Sequence, residues 1–387
     1  MRLLALFLLL PASVWCAAPL TLRSQLKPGA PMTVEADAKE GVYLVTVVYG
    51  GDDVESVTTM KAELRRVYEI NLPVPKGGSV KRTYRVSVHA PEIVGGGKVG
   101  LKSREVGTAS WDDKLSLEFL GASARVRSVT VEPDTAKPIV VRLLGDSTMT
   151  DSTSEPYYGW GQVFPALFDD GVVIDNHAES GLALSSFQGS RRLAKVLSMV
   201  GPGDYVFIQF GHNDQKEKGE GVGAFTTYAE RLRNYVKAIR EKSGQPVIVT
   251  SVARRRFDDQ GKVVESLGDF PEAARRVAKE LGVPLIDLNE SSKKLYQAMG
   301  AEPSKAVFLH IPASAKKSAI ADDTHFSSFG AYEVGRCVST ELAERLPDLA
   351  KRLRPEVVRF DPAHPDTPAS VKIPASRSQT SVKPDGN

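Results

Sequence analysis

Pro138-Ile139-Val140-Val141-Arg142-Leu143-Leu144-Gly145-Asp146-Ser147-Thr148 is the stretch whose reading decides the fold. Its apolar, β-branched run has the length and content of a strand buried on both faces of a parallel sheet. A serine just past such a strand lies on the rim where open α/β sheets place their ligands. A Gly-Asp-Ser tripeptide is also ordinary turn chemistry, so the case rests on what else reaches that rim.

Downstream the texture alternates. Strands are expected near 172–176, 204–210, 246–252 and 284–288, and helices near 159–168, 187–199, 225–242, 271–281, 290–299 and 328–346. In the helix expected at 225–242, Tyr228, Leu232, Tyr235, Val236 and Ile239 share one face at helical spacing, and Gly244 closes it. This order predicts an α/β domain with a mostly parallel sheet and helices on both faces. Active groups then converge at the carboxyl ends of the strands.

Three further blocks arrive there. In Asn176-His177-Ala178-Glu179-Ser180-Gly181-Leu182, a glycine in a tight loop can turn its N–H to the rim, or simply make a turn. In Gly211-His212-Asn213-Asp214, the Asn213 amide beside a serine suits an oxyanion, although a helix cap is the plainer role. In Asp322-Asp323-Thr324-His325-Phe326-Ser327, expected as a loop just before the C-terminal helix, a carboxylate three residues before a histidine can accept its Nδ1–H and leave Nε2 as a base. The spacing favours Asp322 over Asp323. One Asp-x-x-His with no second ligand cluster is thin ground for a metal, and none is expected.

Taken together and in this order, Gly145-Asp146-Ser147, Gly181, Gly211-His212-Asn213-Asp214 and Asp322-Asp323-Thr324-His325 resemble the four blocks of the SGNH (GDSL-type) hydrolases. The opening Gly-Asp-Ser-Thr and closing Asp-x-Thr-His-Phe are most similar to the rhamnogalacturonan acetylesterase branch. The resemblance covers about residues 138–350. It implies a flavodoxin-like three-layer α/β/α domain, a triad of Ser147, His325 and Asp322, and no metal or other cofactor. It also implies an oxyanion hole from the Ser147 and Gly181 N–H groups with the Asn213 side chain. The order Ser, Asp, His also fits α/β-hydrolases, but Gly145-Asp146-Ser147-Thr148-Met149 lacks the second glycine of their G-x-S-x-G elbow.

The implied substrate is an acetylated plant cell-wall polysaccharide. One independent hint is Arg254-Arg255-Arg256 after the fourth strand, whose planar guanidinium groups match the carboxylates of a uronic-acid polymer; a solvated basic loop is the alternative. Tyr157, Tyr158 and Trp160, in the loop after Ser147, suit stacking on sugar or, for Trp160, packing under the first helix. Two other readings compete: a lipase or thioesterase on the same scaffold, and a carbohydrate-binding protein whose α/β domain is inert. The charged residues near the blocks, such as Glu217, Lys218 and Arg254, do not favour an acyl groove.

The remaining regions set the context. Residues 1–18 read as a secretory signal, with Met1-Arg2, an apolar Leu3 to Leu10 and small residues near Ala17-Ala18. A lipid anchor at Cys16 is the minor alternative, since Val14-Trp15 fits it poorly. With Cys16 removed, Cys337 is the only cysteine and no disulfide framework forms. Residues 19–137 alternate with period two between glycine-rich turns, which predicts a β-sandwich, with carbohydrate binding as one role. Its Tyr49, Tyr68, Tyr84, His89 and Trp111 are expected mainly in the core, and Arg65-Arg66 and Lys81-Arg82 as solvated edge charges. The hydrolase-like domain spans 138–353, and 354–387 is expected to be a disordered tail rich in proline, serine and lysine. A net charge of +3 over 387 residues gives no ground for nucleic acid as a partner. A monomer without a membrane span is expected.

Overall fold

The structure is a computed structural model that describes residues 20–22, 32–51, 53–313, 318–378 and 384–385. Residues 1–18, expected to be a secretory signal, lie outside the described residues, and Cys16 with them. Among the described residues, no helix is long and apolar enough to cross a membrane.

The N-terminal strands are β1 (Leu20–Leu22), β2 (Met32–Asp37), β3 (Gly41–Tyr49), β4 (Ser56–Ala62), β5 (Arg66–Val74), β6 (Val80–Val88), β7 (Lys114–Leu120) and β8 (Val126–Pro133). They form two antiparallel sheets, ordered β1-β8-β3-β6 and β2-β7-β4-β5. Alternation sends Val45, Val47 and Tyr49 of one sheet and Met60, Leu117 and Phe119 of the other into a single apolar cluster. Tyr49, Tyr68 and Tyr84 are buried within it.

Five further strands, β9 (Ile139–Gly145), β10 (Val172–Asn176), β11 (Tyr205–Gln209), β12 (Gln245–Val249) and β13 (Leu285–Ile286), pair in parallel in the order β10-β9-β11-β12-β13. All five fall within a residue or a few of where the pattern predicts them. Their pleat divides the core. Val141, Leu143 and Phe207 face one cluster, with Trp160 of α1 (Trp160–Val163) and Val334 and Val338 of the long C-terminal helix Ser328–Thr340. Leu144, Val206 and Ile208 face the other, with Leu184, Leu232, Val236 and Val277. Each such buried side chain contributes about 1.5–3 kcal/mol over its exposed form. The strand order reverses between β9 and β11, and such a switch point opens a crevice at the carboxyl ends of the strands.

Three expectations are corrected. Arg65 and Arg66 are not solvated edge charges: they are 5% and 1% exposed, at the junction between the two regions. Arg66 donates to the Ser87 hydroxyl (2.6 Å) and carbonyl (2.7 Å) and pairs with Asp151 (3.3 Å), while Arg65 pairs with Glu155 (2.7 Å). Nor is the chain after residue 353 free of packing. It forms neither helix nor strand through 378, but Val357, Phe360 and Ile373 are buried in the core and Phe360 lies under the Arg336 guanidinium. Finally, the 322–325 block is not on a simple loop. It belongs to a hairpin of β14 (Phe308–Ile311) and β15 (Ile320–Phe326) that the pattern does not foresee.

The junction also holds Lys61, which is fully buried. Its ammonium donates to the Tyr158 hydroxyl (2.8 Å), the Pro374 carbonyl (2.7 Å) and the Ser376 hydroxyl (3.0 Å), and pairs with Glu155 (3.3 Å). Burial lowers it to about 8 against the pull of Glu155. Nearby, His89 of the N-terminal region meets Asp175 and His177 at the end of β10.

Candidate active site

Ser147 sits in the turn that follows β9. The Asp146 carbonyl accepts from the Met149 and Thr150 N–H groups (both 3.1 Å), and the Asp146 carboxylate accepts from the Thr148 N–H (3.0 Å) and hydroxyl (2.8 Å). A chain of bonds ties this turn to the neighbouring strand. The Trp160 indole donates to the Gln209 amide oxygen (2.7 Å), and the Gln209 amide donates to the Thr148 hydroxyl (2.7 Å). The turn is thereby fixed at the switch point, with Ser147 3% exposed.

The hairpin brings in the other two groups. Adjacent Phe308 and Leu309 pair with Phe326 and Asp322, so Asp323, Thr324 and His325 bulge out of the ladder. That bulge turns Asp322 and His325 toward each other. The His325 Nδ1 lies 2.9 Å from the Asp322 Oδ2, and its Nε2 lies 2.9 Å from the Ser147 Oγ. Asp322 also accepts from the backbone N–H groups of Thr324 (2.9 Å) and His325 (3.0 Å). Burial works to raise the Asp322 carboxyl, but the hydrogen bond and charge of His325, joined by those N–H groups, hold it well below the usual carboxylate range. Asp323, by contrast, meets His310 (2.8 Å) and Arg255 (2.9 Å). Tyr157 packs edge-on against His325, ring centres 6.1 Å apart.

Gly181 and Asn213 reach the same rim. Gly181 has φ +77°, a conformation that favours glycine, and an added Cβ would lie 2.6 Å from the Asp385 Cβ. Asn213 is buried, and its amide donates to the Leu182 carbonyl (3.0 Å), which ties the two loops together. An amide nitrogen carries a second N–H. Of the three arginines, Arg254 is half-buried, donates to the Thr324 hydroxyl (3.2 Å) and feels the charges of Asp146 and Asp322. Arg255 is taken up by Asp323, the Ala301 carbonyl and Ser304, which leaves its fork engaged within the protein, and Arg256 is exposed. Trp160 opens α1 and is fully buried in the core with Val334 and Val338, so it is not open for stacking on a sugar.

Sequence reasoning passes over several residues here. Gln209 reads as one more polar residue of a strand, and Asp146 as a turn former. His212 pairs with Asp146 (3.3 Å) beneath the serine, where burial lowers the imidazole despite the carboxylate. A cavity of about 300 Å³ beside the serine turn is lined by Thr150, Asp151, Tyr157, Glu179, Ser180 and Arg104. The lining of that cavity holds none of Ser147, Gly181, Asn213, Asp322 or His325 itself, and it borders the site through Tyr157, which abuts His325. A larger cleft, about 690 Å³, is lined by Glu69, Arg82, Asp169 and Arg354, away from the four blocks.

Residues 143–332 match the model of the GDSL-like lipase/acylhydrolase family. Over 213 residues the chain is 44% identical to the rhamnogalacturonan acetylesterase RhgT of Bacillus subtilis (strain 168), covering 54% of this chain and 91% of that protein. It is 32% identical to the probable rhamnogalacturonan acetylesterase YesY of the same organism, over 53% of this chain and 92% of that one. Among solved structures it is similar to protein YxiM from Bacillus subtilis, at TM-score 0.48 and 22% identity over 80% of each chain.

Proposed function

The chain belongs to the GDSL-like lipase/acylhydrolase family, on its rhamnogalacturonan acetylesterase branch, and from that premise we propose that it is a secreted serine esterase that removes acetyl groups from an acetylated pectic polysaccharide. The observation that carries the reading is the unbroken line from Asp322 through His325 to Ser147, at 2.9 Å for each step.

In this mechanism the Ser147 Oγ attacks the ester carbonyl carbon while the His325 Nε2 takes its proton. The carbonyl oxygen becomes an oxyanion, held by the Ser147 and Gly181 N–H groups and the Asn213 amide. As the intermediate collapses, the carbon–oxygen bond to the sugar breaks and His325 protonates the departing hydroxyl. Water, deprotonated by the same imidazole, then attacks the acetyl-serine, and acetate leaves. Asp322 orients the ring and stabilises its cationic form without taking the proton. The depressed Asp322 carboxyl supports that role, because a carboxylate that stays ionised keeps its attraction for imidazolium.

We divide the chain into a signal segment at 1–18, a β-sandwich at 19–137 and the hydrolase domain at 138–353, with the following segment packed back on both. The two antiparallel sheets around one apolar cluster support the sandwich. Acetate release from acetylated pectic polysaccharide, compared between the wild type and Ser147→Ala, tests the function. Release by the wild type alone is expected. Equal release by both would overturn the mechanism, and cleavage of a small acetyl ester without release from the polymer would overturn the substrate.

A further inference from the structure

Two cations from the N-terminal region stand at the rim of the site, outside residues 143–332 that match the family model. Arg104 is held from one side: its Nε and Nη2 donate to the Glu179 Oε1 (2.9 and 2.5 Å), and Nη2 also donates to the Ser180 carbonyl (3.0 Å). That anchorage presents the third nitrogen, Nη1, to the cavity beside the serine turn. Lys102 donates to the same Ser180 carbonyl. Both side chains are partly open, 34% and 28% exposed.

A carboxylate of the same chain already lies between them. The Asp385 Oδ2 accepts from the Arg104 Nη1 at 2.7 Å and lies 3.3 Å from the Lys102 Nζ. Its Cβ lies 2.6 Å from where a side chain on Gly181 would begin, so this anion sits directly against the rim glycine. Pro384 and Asp385 line the cavity together with Tyr157, which abuts His325. Two convergent donors, one of them a guanidinium pinned in place, form a site for one carboxylate.

We propose that Lys102 and Arg104 form a subsite for the carboxylate of an acidic sugar in the substrate, and that Asp385 occupies it as an internal competitor. The subsite deepens and rests on the reading of the protein as an esterase of pectic polymers. It gives the N-terminal region a specificity role: this region supplies the charge that selects a uronate beside the acetylated residue. An acidic polymer displaces Asp385, while a neutral one leaves it in place.

The test is competition. Hydrolysis of 4-nitrophenyl acetate is measured against added trigalacturonate and, separately, a neutral galacto-oligosaccharide of equal length, with inhibition expressed relative to each variant's own uninhibited rate. Trigalacturonate should inhibit the wild type, inhibit Asp385→Asn several-fold more strongly, and inhibit the Lys102→Gln/Arg104→Gln double variant roughly ten-fold or more weakly. The neutral oligosaccharide should not distinguish the three. Lys102→Gln alone, which leaves the Arg104–Glu179 anchor intact, covers the case in which the double variant does not fold. Equal inhibition of the wild type and the lysine variants by trigalacturonate, or no inhibition of either the wild type or Asp385→Asn, would overturn the subsite. If inhibition follows the two cations but acetylated pectic polymer is not deacetylated, the subsite stands and the substrate reading falls. Deacetylation of the polymer with inhibition unchanged across the variants does the opposite: the substrate reading stands and the subsite falls.

Discussion

Two of the buried aspartates in this molecule, Asp322 and Asp175, hold histidine, and the rings they hold are placed for different uses. At the rim, Asp322 binds one face of His325, and the far nitrogen of that ring meets the Ser147 hydroxyl. At the junction, Asp175 takes His89 on one oxygen and His177 on the other, together with the Arg142 guanidinium. The residue types are the same, and the three junction groups even lie within 4.8 Å of one another as a cation site would require. What differs is the use of the ring. At the junction His89 spends its Nε2 on the carboxylate and stacks on His177, ring centres 4.5 Å apart. A histidine can act as a base only where its second nitrogen faces a group worth deprotonating.

The largest effect that would break this contrast comes from Ser147→Ala, which should lower kcat on a small acetyl ester on the order of 10⁶-fold. If the loss were only a few-fold, the rim would be no different in kind from the junction. Asp322→Asn should cost roughly 10⁴-fold in kcat, with the fold unchanged by circular dichroism, because the ring would lose its orienting acceptor. Asn213→Ala should cost roughly 10²- to 10³-fold in kcat with little change in KM, as expected of a donor that strengthens only when charge develops.

The junction should respond in stability instead. His89→Gln should leave kcat nearly unchanged and lower stability by about 1–3 kcal/mol in urea titration, by removing a hydrogen bond to a buried carboxylate. Its pH dependence sharpens the comparison further. Burial lowers the His89 imidazole from 6.5 to about 4 even though Asp175 pulls it upward. The unfolded chain therefore binds the proton first, and stability falls as pH drops from about 6.5 toward 4, by up to about 3 kcal/mol from this group. In His89→Gln that part of the acid slope should be missing from Tm measured against pH.

The rim was readable in the sequence because each of its blocks is local. A strand followed by Gly-Asp-Ser, or an aspartate three residues before a histidine, carries its geometry within a few positions. The bulge that turns Asp322 and His325 together was not readable, since it depends on pairing with Phe308 and Leu309. The junction was misread for a similar reason. Arg65-Arg66 looks like an edge pair until Asp151 and Glu155 are set beside it, some ninety positions further along the chain. The segment after 353 has the composition of a tail, yet Val357, Phe360 and Ile373 are enough to seat it on a surface already prepared. Lys102 and Arg104 left no trace at all, because nothing near them in sequence announces a cavity.

Lys61 joins three distant stretches of chain through one ammonium: a strand of the N-terminal region, the Glu155-to-Tyr158 loop beside the serine turn, and the returning segment at Pro374 and Ser376. Pulling any one of them away leaves a charge buried without its full set of partners, and neither region can begin to open without exposing that loss in the other. Heat should therefore melt the two regions in a single cooperative step, with calorimetric and van't Hoff enthalpies in agreement, and Lys61→Met is the substitution that should split that step in two.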